Sequence, residues 1–153
     1  MALKNTRTGR EFSDEMSDSL RQFQVLIDKR LPEKVEVELE KVIIQSFDGE
    51  KYRDKNSSKW AERKEQDPGR KILIGKGSGK LRRSIEVSHT KDEVKASTDV
   101  VYAPVHNEGL KAGKGAGFTM PKRQFMPIPG ERNQELDNAV EKWMDEQMDK
   151  IFK

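Results

Sequence analysis

The apolar positions recur at two different spacings, and the spacing names the elements. Met16, Leu20, Phe23, Ile27 and Leu31 follow one another at steps of four, three, four and four, which is one face of a helix. Ser13 is the candidate N-cap, with Asp14 and Glu15 in the first turn where the helix dipole favours acids. Pro32 interrupts the stripe and suits the first turn of a second helix. Val35, Leu39, Val42, Ile43 and Phe47 form that helix's stripe. The run "VEVELE" also alternates with period two, but its Glu and Lys content favours helix over strand. Asp48-Gly49 closes it. At the other end of the chain, Leu136, Ala139, Val140, Trp143, Met144, Met148 and Ile151 recur at three and four. Acids lead that helix and Lys150 and Lys153 end it, as its dipole favours. Its Met and Trp stripe reads as core or subunit contact.

Between the helices the period changes. From Gly49 to Arg70 the chain is polar, with Tyr52 and Trp60 as its only large aromatics; Trp60 reads as a core anchor for this loop. Asp67-Pro68-Gly69 is a turn signal. Ile72–Ile74 is a short strand-like piece. Ser84–His89 alternates, turns at "TKDE", and returns over Val94–Ser97 as a hairpin. Val100, Val101 and Tyr102 extend the strand region. "LKAGKGAGF" has no apolar pattern and is expected to be a mobile loop spanning residues 110–120. Pro121, Pro127 and Pro129 punctuate an extended arm. The expected fold is α+β, a small antiparallel β-sheet packed with N-terminal helices and a C-terminal helix. It forms one domain over 1–153, with residues 1–12 as a flexible arm.

Composition narrows the function. Of 153 residues only 33% are hydrophobic and 37% are charged. The core is therefore thin, and much of the chain is solvated surface or subunit contact. The absence of cysteine rules out disulfides and thiolate metal sites. His89 and His106 lack ligand spacing. No apolar run approaches a membrane span and the N-terminus lacks an apolar signal core, so a soluble protein made in the cytoplasm is expected. Net charge is +3, but residues 69–123 carry 12 basic and 5 acidic side chains. The flanking segments 1–68 and 131–153 carry 14 against 15 and 4 against 7. This asymmetry suits nucleic-acid contact or head-to-tail packing of subunits with opposite faces. The lysines are not interleaved with aromatics, so a base-stacking platform is poorly supported.

The loop in "KILIGKGSGKLRRSIEV" looks like a phosphate cradle and fails on spacing. Ile74 stands where a P-loop needs its first glycine, and Leu81 follows Lys80 where the Mg²⁺-binding hydroxyl belongs. A dinucleotide fingerprint starting at Gly75 and Gly77 meets Lys80 in place of its third glycine. His106, beside Asn107 and Glu108, has no nameable nucleophile or metal partner. A small hydrolase using it is the weakest reading. No enzyme, cofactor or metal is expected.

The order of motifs resembles the phage virion morphogenesis family, the tail completion proteins of Mu-like and related temperate phages. The residues that carry the resemblance are Trp60, Ile72-Leu73, Gly79, Leu81, Ser84-Ile85, Tyr102-Ala103, His106, Gly109, Pro121, Arg123 and Phe125, over about residues 47–130. The inserted-looking "GKGSG" departs from the family's shorter turn. The resemblance implies a non-enzymatic structural role in completing the tail or joining it to the head. It implies a homo-oligomer, expected to be a ring, that docks tail or head-connector proteins. Non-specific contact with DNA passing through the joint would follow, with no membrane. The protein would act in the host cytoplasm during assembly and at the neck or tail end of the virion. Trp60, Leu81, Ile85, Tyr102, His106, Gly109, Pro121, Arg123 and Phe125 are then fold or interface positions, and Lys76, Lys80, Lys111 and Lys114 a contact loop. The alternative is a basic nucleic-acid-binding module using residues 69–123.

Overall fold

Thr8, not Ser13, starts the first helix. Its Oγ1 accepts the Glu11 N–H at 3.3 Å while the Glu11 carboxylate accepts the Thr8 N–H at 2.8 Å, a reciprocal capping box. The computed structural model describes residues 8–63, 70–75 and 78–153. Of the expected arm, residues 1–7 lie outside the described residues, and 8–12 form the cap and first turn of α1 (Gly9–Val25). The turn signal at Asp67-Pro68-Gly69 and the loop position Lys76 also lie outside them.

Pro32 does not separate two helices. A π-helical turn (Leu26–Arg30) carries α1 directly into α2 (Leu31–Gly49), and the Leu31 N–H reaches the Leu26 carbonyl five residues back. The wider turn has already left the four-residue hydrogen-bond register that a proline breaks, so the missing Pro32 donor and its ring are accommodated. "VEVELE" lies within α2, as its composition favours. Leu39, Val42, Ile43 and Phe47 are buried along it.

The residue after α2 is Glu50, held at φ +50°, a left-handed conformation usually left to glycine. Three contacts hold it there. Its Oε1 accepts the Ile72 N–H at 2.7 Å, its carbonyl accepts the Trp60 N–H at 2.7 Å, and its own N–H returns to Ser46. This explains why Ile72–Ile74 is not a strand: Ile72 gives its donor to a side chain, and Leu73 turns the chain at φ +64°. Helix α3 (Lys80–Arg83) follows and buries Leu81. The expected hairpin forms as β1 (Glu86–His89) and β2 (Val94–Ser97), antiparallel, with Val87 opposite Ala96.

Val100–Tyr102 is also not a strand. It turns into α4 (Ala103–Glu108), with Pro104 tolerated in the first turn and Gly109 ending it at φ +73°. The glycine segment holds a second hairpin, β3 (Lys111–Ala112) with β4 (Phe118–Thr119), where the sequence showed only a loop. Residues 120–133 run without helix or strand. Asn133 then caps α5 (Gln134–Ile151) by accepting the Leu136 N–H at 2.8 Å.

The class is α+β, with the strands in two separate two-stranded sheets. The first hairpin and α5 both pack on α2. The core joins Leu39, Ile43 and Phe47 of α2 to Trp60, Ile72, Leu81, Val100, Ala103 and Phe125. Phe47 is its centre. Trp60 meets that ring edge-on at 5.7 Å and Phe125 meets it tilted at 5.1 Å, arrangements aromatic quadrupoles favour.

Candidate functional site

The motif residues come together as an internal clamp. Trp60 lies buried and donates its indole N–H to the Gln124 carbonyl at 2.9 Å. One residue earlier, the buried Arg123 donates Nε to the Ala61 carbonyl at 2.9 Å and Nη2 to the Glu62 carbonyl at 3.1 Å. Its backbone N–H goes to the His106 carbonyl at 2.7 Å. One residue later, the N–H groups of Phe125 and Met126 both donate to Asn107 Oδ1 at 2.9 Å, while Asn107 Nδ2 donates to the Met126 carbonyl at 3.3 Å. The extended segment is thereby fixed between the Trp60 loop and α4 although it belongs to no sheet. Gly109 completes the clamp, since a Cβ there would lie 3.0 Å from the Lys122 Cβ.

Asn107, buried with both ends of its amide used, was not singled out by the sequence. It sits between His106 and Glu108, but its partners are 18 and 19 residues away. Asn133 was missed too: its Nδ2 donates to the Arg53 carbonyl at 2.8 Å, tying the start of α5 to the Trp60 loop.

The other motif positions divide by exposure. Leu81 and Phe125 are buried, and Ile85 packs half-buried against the core. Tyr102 is half exposed and Pro121 exposed, so neither reaches the core. His106 is half-buried, with Tyr102 edge-on at 5.9 Å. Burial first, and the Arg123 guanidinium second, push the His106 pKa below its usual value. The buried Nδ1 of His106 has no hydrogen-bond partner. Among the described residues no group of three His, Asp or Glu could hold a metal ion, and no helix is long and apolar enough to cross a membrane.

The basic middle segment is matched in part within the chain. Arg82 pairs with Asp48 at 3.0 Å, Lys91 with Asp28 at 3.2 Å and Lys122 with Glu131 at 3.4 Å, and His89 meets Glu36. Lys80, Arg83, Lys95, Lys111 and Lys114 remain exposed, distributed over α3, β2 and the second hairpin. The expected contact loop is thus divided: Lys80 opens α3, and Lys111 and Lys114 stand on the β3–β4 hairpin.

The surface that stands out is apolar. None of the 17 residues of α1 is buried. Phe12 and Leu20 are each 55% exposed and Met16 41%. The helix touches the body near its end, where Phe23 meets Phe152 at 6.2 Å and Ser19 Oγ donates to the Ile151 carbonyl at 3.1 Å. A second exposed set surrounds α4 and the β3–β4 hairpin: Val101, Tyr102, Leu110 and Phe118.

The model of the phage virion morphogenesis family matches residues 8–145. No curated protein and no solved structure matches.

Proposed function

The chain belongs to the phage virion morphogenesis family, a structural and assembly family, and from that premise we propose that it completes the phage tail or joins the tail to the head. It does so by self-association, in a ring, and by docking other tail or head-connector proteins. It works in the host cytoplasm during assembly and at the neck or tail end of the particle. The observation that carries this reading is α1, 17 residues long with an apolar stripe and nothing buried. A helix of that length gains little from propensity alone and is normally stabilised by packing its apolar face. Beyond its contact with the end of α5, the stripe is open to a partner from another molecule. The matched charges of residues 69–123 and the scatter of the remaining lysines favour protein contact over a nucleic-acid groove.

Deleting the gene tests the role. The expected lysate contains heads and tails that are both made but not productively joined, seen by electron microscopy. Normal infectious particles in that lysate would sink the proposal.

A further inference from the structure

Arg123 is the clamp residue whose charge the fold leaves unanswered. Its Nε and Nη2 donate to the Ala61 and Glu62 carbonyls, both neutral acceptors. Nη1 takes no partner among the described residues and is not sealed from solvent. No carboxylate among those residues pairs with this guanidinium. Elsewhere in the clamp the same task, donating to a distant carbonyl, falls to the neutral amides of Asn107 and Asn133. The positive charge at 123 is surplus to it.

Arg123 lines a groove of about 410 Å³ together with Glu62, Arg63, Phe118, Met120 and Pro121. It alone of these six is buried, and so forms the floor. Arg63 is exposed and makes no ion pair among the described residues. Burial first, and the like charge of Arg63 second, push the Arg123 pKa down from its usual value. Glu62 meets Arg123 through its backbone carbonyl, not its carboxylate. A buried cation beside a second cation is costly without a counter-charge. The planar fork of an arginine matches a carboxylate, and arginine with aromatic and Met neighbours is the make-up of protein contacts.

We propose that this groove takes an acidic side chain of another virion protein, with an apolar residue beside it. The carboxylate meets the open end of the Arg123 fork and Arg63, and the apolar residue lies against Phe118, Met120 and Pro121. This rests on the reading that the chain docks other virion proteins, and adds the place and the chemistry. The apolar wall and the acid Glu62 disfavour a phosphate backbone, which binds by neutralising phosphates with Lys and Arg.

Titrating the purified full chain with the capped peptide acetyl-Ala-Leu-Glu-Leu-Ala-amide tests it, followed by NMR at the Arg123 Nε–H. A saturating shift is expected by about 10 mM peptide. The same peptide with Gln for Glu should bind about 10-fold or more weakly, because it loses the charge-assisted bonds. Arg63→Gln should weaken the Glu peptide by a similar factor and leave the melting temperature unchanged, since Arg63 makes none of the clamp's bonds. If neither peptide shifts the resonance, if both bind equally, or if Arg63→Gln binds as the wild type does, Arg123 is a structural tie and the proposal falls. It falls too if a short DNA duplex or inorganic phosphate displaces the peptide at physiological salt. If Arg63→Gln instead dissociates a self-assembled wild type, the occupant is a second copy and the proposal is equally wrong. These outcomes concern the groove alone; the joining role stands or falls with the deletion lysate.

Discussion

Replacing Asn107 by leucine separates the clamp's hydrogen bonds from its packing. Leucine nearly matches asparagine in size but accepts nothing. The N–H groups of Phe125 and Met126 would both lose the Oδ1 acceptor they now reach at 2.9 Å. A buried donor left without a partner costs about 1–3 kcal/mol. The Phe125 N–H is buried and the Met126 N–H only partly so, which puts the total at about 3–4 kcal/mol. The bond from Nδ2 to the Met126 carbonyl, at 3.3 Å, is the weakest of the three and adds little. For a chain of this length that loss lowers the melting temperature by roughly 6–16 °C. Asn107→Asp keeps the acceptor but buries a charge and sets a second carboxylate oxygen against the Met126 carbonyl, so it too should melt below the wild type. Thermal melts followed by circular dichroism compare the two. If Asn107→Leu melts with the wild type, the double acceptor is not what fixes the extended segment.

Phe125→Ala empties a fully buried site against Phe47 and should cost about 3–5 kcal/mol in urea unfolding. Replacing residues 113–117 by a tight two-residue turn should leave that unfolding curve unchanged and abolish complementation in a plaque assay, because the hairpin tip is exposed and outside the core. His106 makes stability depend on pH. Its folded pKa lies below the usual 6.5 because of burial and then Arg123, so its contribution is complete above about 6.5 and is lost as pH falls from there through the folded value. Subtracting melts of a His106→Gln variant from wild type over this range should reveal that loss, and a difference independent of pH would contradict it.

The parts legible in the sequence are those where one local signal suffices. Helix α5 and the first hairpin follow from apolar periodicity and a turn. Trp60 is expected in the core because a large apolar ring in a polar stretch needs somewhere to go. What escaped depends on partners distant in sequence. Ile72 looks like a strand until Glu50, 22 residues earlier, takes its N–H. Val100–Tyr102 has β-branched and aromatic residues that favour strands, yet it opens α4, whose Pro104 tolerates only a first turn. The Ser13 reading took the cap nearest the stripe and passed over Thr8, whose Glu11 completes a capping box. The glycines of residues 113–117 suggested freedom, but their left-handed angles are what folds the second hairpin. The clamp's carbonyl and amide partners leave no periodic trace at all.

The π-helical turn before Pro32 acts as a phase setting between two faces of one rod. An α-helix advances about 100° and 1.5 Å per residue, and the turn accommodates one residue more than regular winding would. Removing one residue between Leu26 and Arg30 would restore regular winding and keep both faces nearly in phase, with Leu39, Ile43 and Phe47 still on the body and the Phe12–Met16–Leu20 stripe still outward. Removing a second residue would then swing that stripe by about 100°. The extra residue is thus slack in the rod: one three-nucleotide deletion is absorbed there, and only the next re-aims the outward face.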